Sequence, residues 1–172
     1  VPVSLDTALE PIFIDPQSVQ RLMEETSICV TGPKETKALF GLDDPQQAAE
    51  HLLGMGIKLV AIKLGEKGCY VANAQEGLFC PAFHAEVVDT TGAGDSFTAG
   101  LLYGYLKEIS LADSAVLASA LGAAATMVYG AGLSLPGRQE VLAFLEHSLA
   151  EEDGGLHERV SGLIEILENN KL

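Results

Sequence analysis

Asp95 stands where a carboxylate could act as a base. The stretch around it reads Val87-Val88-Asp89-Thr90-Thr91-Gly92-Ala93-Gly94-Asp95-Ser96-Phe97-Thr98-Ala99-Gly100. An apolar pair with the look of a strand end runs into a glycine-punctuated turn, and residues 96–106 then repeat with helical spacing. Glycines at 92 and 94 permit backbone angles that other residues resist and let main chain approach a ligand. Unpaired N–H groups and the positive dipole end make such a helix start an anion site, and the anion expected there is a phosphate. A carboxylate in that first turn is a poor phosphate ligand but a sensible base for a hydroxyl about to attack one. Taken alone, the same short motif also reads as a plain loop with Asp95 capping its helix. Two common nucleotide loops are excluded. The third glycine falls at Gly100, too late for the dinucleotide fingerprint, and no Gly-Lys-Ser/Thr follows as a P-loop requires.

The elements that must position these residues alternate between strand and helix. Val1–Leu5, Ile28–Val30, Lys58–Leu64, Cys69–Ala72, Leu78–Cys80 and Ala85–Val88 read as strands. Asp6 reads as a turn residue after the first of them, with Thr7 to Pro11 following. Asp15-Pro16 and Asp44-Pro45 are helix starts, and Val19, Leu22 and Met23 give the first of those helices an apolar face. Thr31 to Gly41 reads as a turn, a helix and a terminating glycine, with Glu35 as an acid that the dipole of its first turn favours. Gly65-Glu66-Lys67-Gly68 reads as a hairpin turn. Further helices are expected over 94–107, 113–129 and 139–149. A linker over 151–155 and an amphipathic helix carrying Leu156, Val160, Leu163, Ile164 and Leu167 close the chain. That last helix docks on its own domain or makes a homo-oligomer contact. This pattern predicts an α/β fold with a mainly parallel sheet and with the ligand loop at a strand's carboxyl end. The division expected is 1–150 as one nucleotide-binding part and 151–172 as linker and terminal helix.

Asp89-Thr90-Thr91-Gly92-Ala93-Gly94-Asp95-Ser96-Phe97 followed by Ala99-Gly100 resembles the second signature of the PfkB, or ribokinase-like, carbohydrate and nucleoside kinases. The resemblance implies a ribokinase-like three-layer α/β/α fold. It implies an ATP-dependent transfer of the γ-phosphate to a sugar hydroxyl, with Gly92, Ala93 and Gly94 as the anion hole and Asp95 as the base. It implies a magnesium site near Glu35 and a nucleotide bordered by Leu64-Gly65-Glu66-Lys67-Gly68. Lys63 stands where the family has threonine, Gly32 where it has the asparagine paired with that glutamate, and Ser119 where a later helix offers an asparagine to the nucleotide. Asp89 and Thr91, with Gly130-Ala131-Gly132, resemble the lining of a monovalent-cation (K+) site in some relatives. Members of the family are considerably longer, so the chain is expected to be the C-terminal part of such a kinase, without its sugar-binding strands and lid and inactive alone. Two alternatives stay open: a non-catalytic relative that binds a nucleotide or a partner chain, and a kinase whose acceptor is a nucleoside or vitamin precursor.

Composition narrows the partners. At 172 residues and 48% hydrophobic content the chain can bury one sizeable core. A net charge of −14 would repel nucleic acid and anionic membrane, so any field that holds phosphate must be local. Cys29, Cys69 and Cys80 form no Cys-x-x-Cys pair and are odd in number, which suits buried thiols in a reducing cytoplasm. No apolar run reaches membrane-spanning length.

Overall fold

The structure is a computed structural model that describes residues 1–149 and 155–169. The chain divides into two compact units, Val1–Cys80 and Pro81–Leu172. The acidic stretch expected as a linker lies, at 151–154, outside the described residues.

The first unit is built on a five-stranded sheet in the order β1 (Ser4–Asp6), β2 (Ile28–Thr31), β3 (Leu59–Lys63), β4 (Cys69–Asn73) and β5 (Gly77–Cys80). The first three strands run parallel, with Asp6 beside Val30 and Val30 beside Ala61. The two hairpin strands then extend the sheet antiparallel. Helices α1 (Leu9–Ile14), α2 (Pro16–Glu24), α3 (Pro33–Phe40) and α4 (Pro45–Gly54) lie between the parallel strands in sequence. Ile12, Val19, Met23, Ala48, Ala49 and Leu52 from them pack on Cys29, Val60, Ile62, Tyr70 and Ala72 of one sheet face. The helix starts are those the sequence marks: Asp15 accepts from Ser18 N at 3.1 Å and Asp44 from Gln47 N at 2.9 Å, each ahead of a proline. Helix α1 departs from the turn expected there. It has no side-chain cap, and Pro11 is tolerated because a first-turn N–H needs no partner within the helix.

The second unit holds α5 (Ala93–Leu106), α6 (Leu111–Thr126), α7 (Arg138–Ser148) and α8 (Gly155–Asn169). Helices α5 and α6 approach almost backbone to backbone. A Cβ on Gly100 would sit 2.8 Å from Ala118 Cα, and one on Gly104 would sit 2.3 Å from Ser114 Oγ. That contact needs hydrogen at both glycines, and it buries most of the alanine-rich α6. Ser110, not a residue near Asp113, starts α6: its hydroxyl accepts from Asp113 N at 3.0 Å, which moves the helix start forward from the position expected. Helix α8 docks on α6 and α7 with Val160 and Leu163 fully buried. Arg159 pairs with Asp113 at 3.5 Å.

The strand expected at Ala85–Val88 is not formed. Residues 81–92 are irregular, and the segment is tied to the end of α6, whose Thr126 carbonyl accepts from Val88 N at 2.8 Å and Asp89 N at 3.1 Å. Val87 and Val88 are exposed, so their apolar character reflects no sheet face. Among the described residues no helix is long and apolar enough to cross a membrane.

Candidate active site

Two groups of polar residues stand out, one in each unit. In the second unit the group is the loop 89–95. Gly92 is the N-cap of α5 with φ +81°, a left-handed value that a side chain resists. Its missing Cβ would meet Ala131 and Leu135 side chains at 3.2 Å, so the loop also rests closely on residues 130–135. Asp89 braces the turn from inside. One of its carboxylate oxygens accepts from Thr91 N at 3.0 Å and from the Thr91 hydroxyl at 2.8 Å, and the other accepts from Gly130 N at 2.9 Å. The Thr91 amide foremost, then the Gly130 amide and the Thr91 hydroxyl, hold the Asp89 carboxyl below its ordinary 3.8.

Among the described residues the amides of Gly92, Gly94 and Asp95 find no acceptor, whereas Ala93 N donates to Thr90 O at 3.2 Å. The donors left for an anion are thus 92, 94 and 95. Asp95 lies in the first turn of α5, its side chain exposed beside these amides. That pairing can accept a proton from a hydroxyl while N–H groups receive developing negative charge. Ser119 is placed differently: it is 7% exposed, inside α6.

In the first unit, polar residues collect at the carboxyl ends of the three parallel strands, the usual ligand edge of an open α/β sheet. Lys63 Nζ lies 2.8 and 2.9 Å from the two oxygens of Asp6. Thr7 donates its hydroxyl to that of Thr31 at 2.7 Å. Glu35, in the first turn of α3, folds its carboxylate back over Gly32, so that a Cβ there would lie 2.6 Å from Oε2. Gly65 and Gly68, with φ +62° and +93°, make the turn that follows β3, closed by Leu64 N donating to Gly68 O at 2.8 Å. Burial pushes the Cys29 thiol up to about 12, with Asp6 adding to the rise, so it is no nucleophile. Sequence reasoning missed Asp6. The available signal is a lysine ending a buried strand, which needs a counter-charge.

Among the described residues no three His, Cys, Asp or Glu side chains gather as a metal cage. A lone half-buried carboxylate, Glu35, suits magnesium, which keeps several waters and takes one or two protein carboxylates beside phosphate oxygens. At Asp89 the carboxylate already accepts three hydrogen bonds, so a monovalent cation there would depend on main-chain carbonyls.

A mixed sheet covered by helices, and a glycine loop that opens a helix beside an exposed acid, place the chain among α/β proteins. The chain belongs to the pfkB family of carbohydrate kinases, whose family model matches residues 1–138. It is 37% identical over 118 residues to an uncharacterized sugar kinase of Archaeoglobus fulgidus, covering 69% of this chain and 47% of that protein. Aminoimidazole riboside kinase from Salmonella enterica, solved with aminoimidazole riboside and an ATP analog, superposes with TM-score 0.73 at 31% identity. That match covers 84% of this chain and 52% of the other. A putative ribokinase II from E. coli in complex with ATP and Mg2+ gives TM-score 0.76 at 25% identity, over 85% of this chain and 49% of the other. The fold is ribokinase-like α/β. The chain spans about half or less of the length of the curated relatives it matches.

Proposed function

We propose that the protein carrying this chain transfers the γ-phosphoryl group of ATP to a hydroxyl of a sugar or related small alcohol, with residues 1–150 as its nucleotide-handling part. The observation that carries this reading is the exposed Asp95 carboxylate set beside the unpaired amides of Gly92, Gly94 and Asp95. Asp95 takes the proton of the acceptor hydroxyl as that oxygen attacks. The amides of Gly92, Gly94 and Asp95 hold the oxygens of the group in transfer, while Ala93, whose N–H donates to Thr90 O, serves to close the turn. These donors need no reorganisation because Asp89 and Gly92 have already set the loop. Gly65 and Gly68 border the nucleotide, with Lys63 as a cation toward its phosphates and Ser119 in place of an amide contact. Glu35 would hold a magnesium ion through its waters, and that ion would supply positive charge against the phosphates. A K+ ion beside Asp89 and Thr91 would be held by main-chain oxygens, since the Asp89 carboxylate already accepts three hydrogen bonds.

The test is ADP release by the full-length protein over a panel of sugars and nucleosides. Asp95→Asn is expected to lower turnover by about 10²–10⁴-fold, the usual contribution of a positioned base, while MgATP affinity stays near that of the parent. Near-parental turnover would remove Asp95 from the role. The likeness to a riboside kinase favours a nucleoside-type acceptor as the second reading, and the panel separates the two. The departures at Gly32, Lys63 and Ser119 favour a non-catalytic relative, which would bind nucleotide and release no ADP with any acceptor.

A further inference from the structure

Asp6 and Lys63 end two strands that are not neighbours, because β2 runs between them. Adjacent strands lie about 4.8 Å apart, so the pair must reach across roughly twice that distance, which only a long side chain can do. Register puts Asp6 beside Val30 and Val30 beside Ala61, and Lys63 follows Ala61 by two residues, so all four share one face. The ion pair therefore lies over an apolar floor, Val30 and Ala61 both being fully buried, while its own side chains keep 25% and 28% exposure. It is half-desolvated, and the bond is worth more there than on open surface. Lys63 then leads straight into the Gly65–Gly68 turn.

We propose that Asp6 is a positioning residue: it holds the Lys63 ammonium at the carboxyl edge of β1–β3, aimed for a phosphate oxygen of the nucleotide. The inference rests on the phosphotransfer reading above. Two Asp6 oxygens take two of the three N–H donors of Nζ and leave one for the ligand. The lysine is then fixed before the nucleotide arrives, and binding need not order a rotamer-rich chain. A clamp of purely structural purpose would use the same two residues, and the test must separate the two.

MgADP binding by calorimetry and steady-state kinetics in MgATP, both on the full-length protein, do so. Lys63→Met is expected to weaken MgADP binding about tenfold, Asp6→Asn about three- to tenfold, and the double variant no more than Lys63→Met alone, since the residues act as one unit. KM for MgATP should rise in step while kcat stays within about twofold, as for a lost binding contact. Lys63→Arg, which keeps charge and reach, should retain most of the affinity. The exchanged pair, Asp6→Lys with Lys63→Asp, restores the salt bridge with the cation on the wrong strand, so it should regain the thermal midpoint but not the affinity. Parental affinity in Asp6→Asn, or affinity regained by the exchange, overturns the assignment and leaves phosphotransfer standing. Absence of any MgADP binding by the parent protein overturns both.

Discussion

The loop at 89–95 is braced by one carboxylate bonded chiefly to main-chain amides, whereas the carboxyl edge of β1–β3 is braced by side chains set against one another. In the loop, three hydrogen bonds onto Asp89 come from Thr91 and Gly130, two of them from amides, and the turn itself depends on a φ of +81° at Gly92. At the strand edge, Asp6 meets Lys63 across 57 positions of sequence and Glu35 folds over a glycine that has no side chain of its own. Main-chain scaffolds tolerate few residue types, so the loop keeps the family signature from Asp89 to Gly100. Side-chain scaffolds can be rebuilt by paired exchange, and the departures at Gly32 and Lys63 fall there.

The largest effect expected from breaking this contrast is at Gly92. Gly92→Val would place a β-branched residue at a left-handed φ, a conformation costing about 1–2 kcal/mol for an ordinary residue, and would drive methyl groups into Ala131 and Leu135. The loop would shift rather than the helices, and a displacement of about 1 Å at a reacting group can cost on the order of 100-fold in rate. Turnover should therefore fall about 100-fold or more, with a loss of thermal midpoint of only a few degrees. Retained turnover would show that the amides at 92, 94 and 95 are not what holds the phosphoryl group.

Asp89 comes next. Its carboxyl is held below 3.8 in the folded protein by donors that favour the ionised form, and an unfolded chain lacks them. The stability it contributes is thus fully present above the unfolded value and is lost as pH falls through the lower folded value. Asp89→Asn removes that dependence, because an amide can accept at one atom only. Melting curves of the parent and the variant should differ by a constant amount above about pH 5 and converge below the ordinary 3.8. A gap that persists unchanged at pH 3 would mean that the Thr91 and Gly130 bonds do not depend on charge.

The same contrast explains which features residue types alone reveal. The glycine turn that opens α5, the caps at Asp15 and Asp44 and the buried strands β2 and β3 are legible in the sequence because local residue types carry each of them. Val87 and Val88 mislead, since two adjacent apolar residues look like a strand whether or not a neighbour exists to pair with them, and here they only follow the end of α6. Helix α1 is hidden by Pro11 and by its uncapped start at Ala8. Asp6 is hidden for a third reason: pairing between non-adjacent strands leaves no periodic trace, so a residue that reads as a turn proves to be one half of an ion pair.

The smallest effect expected is also the sharpest probe of the side-chain edge. Gly32 has φ −135° and ψ 168°, extended backbone that any residue adopts, and it caps α3, where asparagine is at least as favourable as glycine. Restoring the family residue by Gly32→Asn should therefore leave the fold intact. Its Cβ would sit 2.6 Å from Glu35 Oε2, but that atom ends a flexible side chain, and the next neighbours are at 3.6 and 3.7 Å. The carboxylate must swing off the glycine, at a cost within about 0.5 kcal/mol of the parent stability. If Glu35 holds magnesium through its waters, that swing should change the half-saturating Mg2+ concentration a few-fold while kcat stays nearly constant. A fall in melting temperature of more than several degrees would show instead that Glu35 cannot yield, and that the fold of this carboxylate over Gly32 is a structural cap on α3 rather than a movable ligand.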